Sequence, residues 1–216
     1  MKKVFKFLND LAQHNEREWM QEHKESYLES KATVSVLVGN LIDQIGQFDS
    51  GIPGLTPKDC MFRINRDIRF SNNKAPYKIN FGAAITPGGR KTGNPTYYLH
   101  ISPGKSMLAG GVYMPDAVHL KKIRQEIDYN ADGLKKILSK GDFMETFGSI
   151  KGDSLKNSPK GYASDHPDIE LLRLKSFLVL KNLPDDFFEK SNYEQELVKF
   201  CELIQPFNGY FSVALG

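Results

Sequence analysis

The chain has 216 residues, of which 40% are hydrophobic and 25% charged, and its formal net charge is +3. These globular values exclude a disordered or collagen-like chain, and the length suits one domain, residues 1–216, with a sizeable core. The near-neutral charge falls short of a dedicated nucleic-acid binder, and Cys60 and Cys201 alone cannot make a disulfide framework or a zinc site.

The first residues, M-K-K-V-F-K-F-L-N-D, have their apolar run broken by Lys6 and Asn9-Asp10, so no signal peptide is expected and the protein is placed in the cytoplasm. No membrane span is expected, because no run approaches the ~20 apolar residues one needs. Val4, Phe5, Leu8 and Leu11 predict an opening helix to about His14. Asn15-Glu16-Arg17-Glu18 places a capping side chain three residues before a glutamate, the arrangement of a capping box. A second helix is predicted from there to about Gln47, carrying Trp19, Tyr27, Val34, Leu37, Leu41 and Ile45; it should be the longest in the chain.

Asp49 to Pro57 is a loop rich in Gly and Pro. Beyond it the period changes. Cys60, Phe62, Ile64, Ile68 and Phe70 are apolar and alternate with Arg63, Asn65, Asp67, Arg69 and Ser71, which predicts a strand with one face buried. Arg66 falls on the apolar phase. Either the strand is broken or bulged there, or a half-buried guanidinium must find a carboxylate. Further strands are predicted over 77–85, 96–102 and 106–113, with short connections that favour an antiparallel meander. Helices follow from Pro115 and over 131–138, 142–147 and 167–174, then a strand over 176–181 and a closing amphipathic helix over 193–204. The expected class is α+β, one central antiparallel sheet covered by helices on one face.

Positive charge is concentrated between Phe62 and Lys78. Arg63, Arg66, Arg69, Lys74 and Lys78 stand there against a single Asp67, a local +4 in a chain of +3. If the first three strands are neighbours, Arg63, Asp67, Arg69, Lys78, Asn80, Tyr98 and His100 project from one face. Arginine forks and lysine point charges suit a phosphate or carboxylate, so a small anion is the expected ligand. Arg63, Asp67, Arg69, Lys74 and Lys78 are the candidate ligand contacts, and Arg66 is assigned to structural pairing. Tyr98 and His100 are the candidate acid/base groups, because imidazole titrates near neutrality. His166, in Asp165-His166-Pro167, reads better as a helix start.

No cofactor or metal is expected. His14, His23 and His119 lack carboxylates at ligand spacing, and neither Gly88-Gly89 nor Gly110-Gly111 has the lysine and hydroxyl of a phosphate loop. Ser71 and Ser102 lack a nucleophile elbow. Tyr98 and Tyr113 interleave with the cations, which keeps weak single-stranded nucleic-acid binding as an alternative, although the near-neutral remainder argues against it. The other alternative is an interaction protein whose basic motif forms internal ion pairs.

The string Arg63-Ile64-Asn65-Arg66-Asp67-Ile68-Arg69-Phe70-Ser71, followed by Lys74 and Pro76-Tyr77-Lys78, resembles the domain of unknown function 2461 family of conserved hypothetical proteins. Asn15-Glu16-Arg17-Glu18-Trp19, Gly110-Gly111, Tyr113, Pro115, Pro159-Lys160-Gly161-Tyr162 and His166-Pro167 extend the resemblance nearly end to end, with Met20 where an aromatic is usual. The family carries no established activity, so the resemblance implies a place for the site and no mechanism.

Overall fold

A computed structural model describes residues 1–216. Helix α1 (Lys2–Gln13) buries Val4, Phe7, Leu8 and Leu11 at helical spacing. The expected second helix is two: α2 (Arg17–Glu22) and α3 (Lys24–Ile45), separated at His23, whose φ of −105° and ψ of 23° leave the helical region. The His23 ring stacks on Trp19 at 4.1 Å between centroids and its Nδ1 lies 2.9 Å from the Trp19 carbonyl, which fixes the corner. The short helix α4 (Pro57–Cys60) is closed by a capping box in which Thr56 and Asp59 satisfy each other's backbone N–H groups.

The sheet is a four-stranded antiparallel meander, β1 (Phe81–Ile85), β2 (Thr96–Ile101), β3 (Ser106–Val112) and β4 (Phe177–Leu183), in the order β1-β2-β3-β4. Between β3 and β4 run α5 (Ala117–Leu138), α6 (Gly141–Phe147) and α7 (Ile169–Leu172). Two expected helices join as α5, with non-helical φ/ψ at Asn130 between them. The closing helix α8 (Tyr193–Leu215) passes Pro206 and ends well beyond the expected 204. Proline removes one intrahelical bond, but Phe207, Phe211 and Leu215 are buried past it, and burial rather than propensity holds the helix.

Alternation decides which face of the sheet meets the helices. Phe81, Tyr97, Leu99, Leu108, Phe177 and Val179 are buried on one face, with α8 against β3 and β2 and α3 and α4 against β1. The opposite face carries no helix layer. No helix of the protein is long and apolar enough to cross a membrane.

The strand expected over Cys60 to Phe70 does not form. Cys60 closes α4, and after it only two isolated bridges occur, Met61 with Ala83 and Asn65 with Tyr77. Phe62 is 39% exposed and Phe70 96% exposed, so the apolar phase of the sequence is not a buried face. The chain instead forms a narrow loop closed across its neck: Arg66 N–H donates to the Pro76 carbonyl, and Lys78 N–H to the Ile64 carbonyl. The other side of that neck is sealed from afar. The Asn15 side chain donates to the Tyr77 carbonyl and accepts from the Tyr77 N–H, each at 3.0 Å, so one amide stands in for a missing strand. Asn15 therefore does not cap α2, whose N-cap is Glu16 without a side-chain bond. Asn15→Ala should lower stability by about 2 kcal/mol, from two lost hydrogen bonds and an unpaired backbone pair, measurable as a lower urea midpoint. Asn15→Asp, which keeps only the acceptor, should not restore it.

Candidate ligand-binding site

The face without helices is hollowed into a cavity of about 630 Å³. The register sets its floor. His100 lies between Gly82 and Met107, and Tyr98 lies between Ala84 and Ala109, which in turn pairs with Leu180. Floor positions on β1 are thus glycine and alanine, those on β3 are Met107 and Ala109, and the larger polar groups rise from β2. A methyl at Gly82 would sit 2.8 Å from the Tyr98 hydroxyl, so the phenol lies across the glycine.

One wall comes from the stretch after α4. The Phe62 N–H donates to the Gly82 carbonyl, and the Phe62 ring meets Tyr98 edge to face at 6.3 Å. Lys78 Nζ donates to the Arg63 carbonyl at 3.0 Å and lies 5.6 Å from the centre of the Phe62 ring. Burial, and secondarily the nearby Arg63 guanidinium, lowers the Lys78 pKa. A second cation, Arg90, comes from the β1–β2 connection. Its Nη1 donates to the carbonyls of Lys58 at 2.6 Å and Asp59 at 2.7 Å, which ties the 86–95 loop to α4. Asn94 holds that loop through the Pro87 carbonyl, and Thr86 through the Pro95 carbonyl.

Two features set the electrostatics. Neither Lys78 nor Arg90 has a carboxylate within ion-pair distance. No aspartate or glutamate lines the cavity either. Its polar floor is neutral: burial lowers the His100 pKa, while burial, then the neighbouring Tyr113, raises that of the Tyr98 phenol. The Tyr98 hydroxyl lies 3.2 Å from His100 Nδ1, with the Asn80 amide more distant at 3.5 Å. A protonated phenol donates, so Nδ1 accepts and the imidazole proton is assigned to Nε2.

The His100 shift has a stability consequence. Its folded pKa lies below its unfolded value, so below about pH 6.5 the unfolded chain takes up the proton first and stability falls with pH until the folded imidazole also titrates. His100→Gln should lose less melting temperature between about pH 7 and about pH 5 than wild type. Equal losses in the two proteins would contradict the buried neutral imidazole.

The expected site residues divide. Lys78, Tyr98 and His100 come together in the cavity with Asn80. Arg63 is exposed beside it, close enough to act on Lys78. Asp67, Arg69 and Lys74 are not in the cavity lining. Arg69 grips the Asp67 carboxylate with Nε at 3.0 Å and Nη2 at 2.7 Å, which holds that carboxyl below its usual range, and Lys74 donates to the Ile68 carbonyl at 3.2 Å. Arg66, half-buried, finds a carbonyl and a hydroxyl instead of a carboxylate: Ala75 at 2.9 Å and Ser71 at 3.3 Å. The missing strand explains the division, because without it Arg63, Asp67 and Arg69 share no face with β2.

Arg90, Asn94, Thr86 and Thr96 were not singled out by the sequence. The signal was the length of the 86–95 connection, well beyond the ~2–5 residues of most hairpins, with a cation among its glycines. His166 lies elsewhere: its Nε2, 3.0 Å from Asp128 Oδ1, ties 162–168 to α5, while Nδ1 accepts from the Asp168 N–H within that segment. Burial pushes the Cys60 thiol up to about 11, which keeps it protonated. No group of three or more His, Cys, Asp or Glu is placed to hold a metal ion.

A meander sheet with helices on one face and a carboxylate-free cavity on the other defines an α+β protein organised around an open sheet face. No curated protein and no solved structure matches the chain significantly. The family model of DUF2461, described as conserved hypothetical protein, matches residues 3–210. The chain belongs to that family.

Proposed function

We propose that the protein binds a small organic anion, carrying carboxylate or phosphate, on the open face of the sheet. The observation that carries this is the pair Lys78 and Arg90, two cations with no carboxylate within ion-pair distance, in a cavity whose lining has no acidic residue; Asp59, held in its capping box, acts on Arg90 only from beyond that distance. An unpaired cation in a half-buried site gains most from an anion that replaces its lost water. Tyr98 and His100 supply neutral hydrogen bonds, and proton transfer to a bound ligand would run through them. The volume of about 630 Å³ lies in the range of small-molecule pockets.

The test is thermal. Phosphate and benzoate, compared with chloride at matched ionic strength, should raise the melting temperature of wild type, as ligand linkage requires, and do so less in Arg90→Met. No specific shift with any organic anion or phosphate, or an equal shift in the variant, would sink the proposal.

A second role, for the basic motif alone, is favoured by the bonds of Arg66, Arg69 and Lys74 to their own loop. It is structural, and it concerns residues outside the cavity. The two roles are compatible, since the loop that Arg66 braces also delivers Lys78.

A further inference from the structure

The two cations of the cavity are not placed to share one anionic group. Both are mounted on the same wall, Arg90 on the carbonyls of Lys58 and Asp59 and Lys78 on the carbonyl of Arg63. Between those points the chain runs alongside β1: Met61 bridges Ala83, Phe62 N–H reaches the Gly82 carbonyl, and the Ile64 carbonyl accepts from Lys78. The floor the two cations border runs along β2 from His100, beside Asn80 at the Lys78 end, to Thr96 at the Arg90 end, four strand residues or roughly 13 Å at ~3.3 Å per residue. A single carboxylate or phosphate cannot span that distance.

Each cation has its own polar company. Lys78 stands with Asn80 and His100, one end of the register, while Arg90 stands with Thr96 and Asn94 at the other, where Thr96 pairs with Gly111. The middle is apolar. Between Ala84 and Ala109, whose side chains end at Cβ, the Tyr98 ring leans over Gly82 with its hydroxyl turned to His100, and the Phe62 ring and Leu180 flank it. A bare anion at either end would leave this apolar stretch hydrated, and the hydrophobic term favours a ligand that covers it.

We propose that the cavity takes an elongated dianion, with one anionic group at Lys78, one at Arg90, and an apolar middle lying along the Tyr98 ring between Ala84 and Ala109. This rests on the anion-binding function proposed above and specifies the ligand class.

The experiment is calorimetry with α,ω-dicarboxylates from succinate to sebacate, biphenyl-4,4′-dicarboxylate, and monocarboxylates of matching length. Binding should peak at an intermediate diacid or the biphenyl diacid, at least tenfold tighter than the matching monoacid, since a second charge-assisted contact is worth that factor. Lys78→Met and Arg90→Met should each reduce that diacid to the affinity of the monoacid. Arg90→Lys, which keeps the charge, should retain part of the gain, and circular dichroism melts establish that each variant is folded. If monoacids bind as tightly as diacids, or one variant alone abolishes all preference while the other changes nothing, the dianion class is overturned and anion binding stands. If no acid of either kind binds the folded wild type at millimolar concentration, the anion-binding proposal falls with it.

Discussion

Gly111→Ala should lose more than about 4 kcal/mol of stability, enough to leave a domain of ~5–15 kcal/mol largely unfolded or insoluble. Gly111 lies in β3 with φ of +112°, a backbone that side chains resist, and a Cβ there would stand 2.0 Å from the Phe177 carbonyl oxygen and 2.8 Å from the Phe207 ring. The first contact is with backbone. No rotamer change relieves it, so β4 would have to separate from β3 where Gly111 pairs with Leu178. Gly104→Ala isolates the conformational part: its φ is +67° but nothing lies within 4 Å of its Cβ, so about 1–2 kcal/mol is expected. The difference between the two urea midpoints is then the cost of the clash. A Gly111→Ala protein as stable as Gly104→Ala would contradict the packing described. The neighbouring Gly110 also lies against α8, where a Cβ would meet Ile204 at 2.2 Å. The pair Gly110-Gly111, which lacks the chemistry of a phosphate loop, thus brings a helix and a strand into close contact. It also precedes the turn at Met114, φ 45°, whose N–H is held by Ser176 Oγ and which sets Tyr113 at the cavity rim.

The fold was legible wherever periodicity and ladder partners agree. Strand β2 follows from alternation with the apolar phase buried, and the helices from 3.6-residue spacing. Strands β1, β3 and β4 were marked by β-prone runs between turn residues: β1 is buried at every position, and β4 carries Leu178 and Leu180 on its open phase. Residues 60–70 show the limit. Alternation states where side chains would point if the chain were extended, not whether its backbone has partners, and here Pro76 offers no N–H while Asp59 is committed to a capping box. The shared face of Tyr98 and His100 was legible because β2 is a real strand and their phase faces away from the core. Arg90 was missed because a lone cation in a glycine-rich loop has no period to betray it. Asn15 was read as a cap because its true partner, Tyr77, is 62 residues away and only tertiary structure brings them together.

Arg66→Ala should lower stability by about 3 kcal/mol while affecting anion affinity far less, the reverse of Lys78→Met. The guanidinium of Arg66 is half-buried and donates to the Ala75 carbonyl at 2.9 Å and Ser71 Oγ at 3.3 Å, crossing the inside of the 66–76 loop. Its removal deletes two charge-assisted bonds and the packing of the stem, and leaves the Ala75 carbonyl without that donor. Arg66→Lys should recover little, since one ammonium cannot reproduce a planar fork reaching two acceptors. Lys78 is insulated from this loss. Its N–H remains on the Ile64 carbonyl, and the preceding Tyr77 remains clamped by Asn15. Lys78→Met, in contrast, keeps an unbranched apolar stem beside Phe62 and should leave the urea midpoint nearly unchanged while weakening the dianion at least tenfold. Calorimetry on the two variants, beside their unfolding curves, separates a brace from a contact. If Arg66→Ala instead keeps full stability and abolishes anion binding, Arg66 belongs to the ligand and the division of the basic motif is wrong.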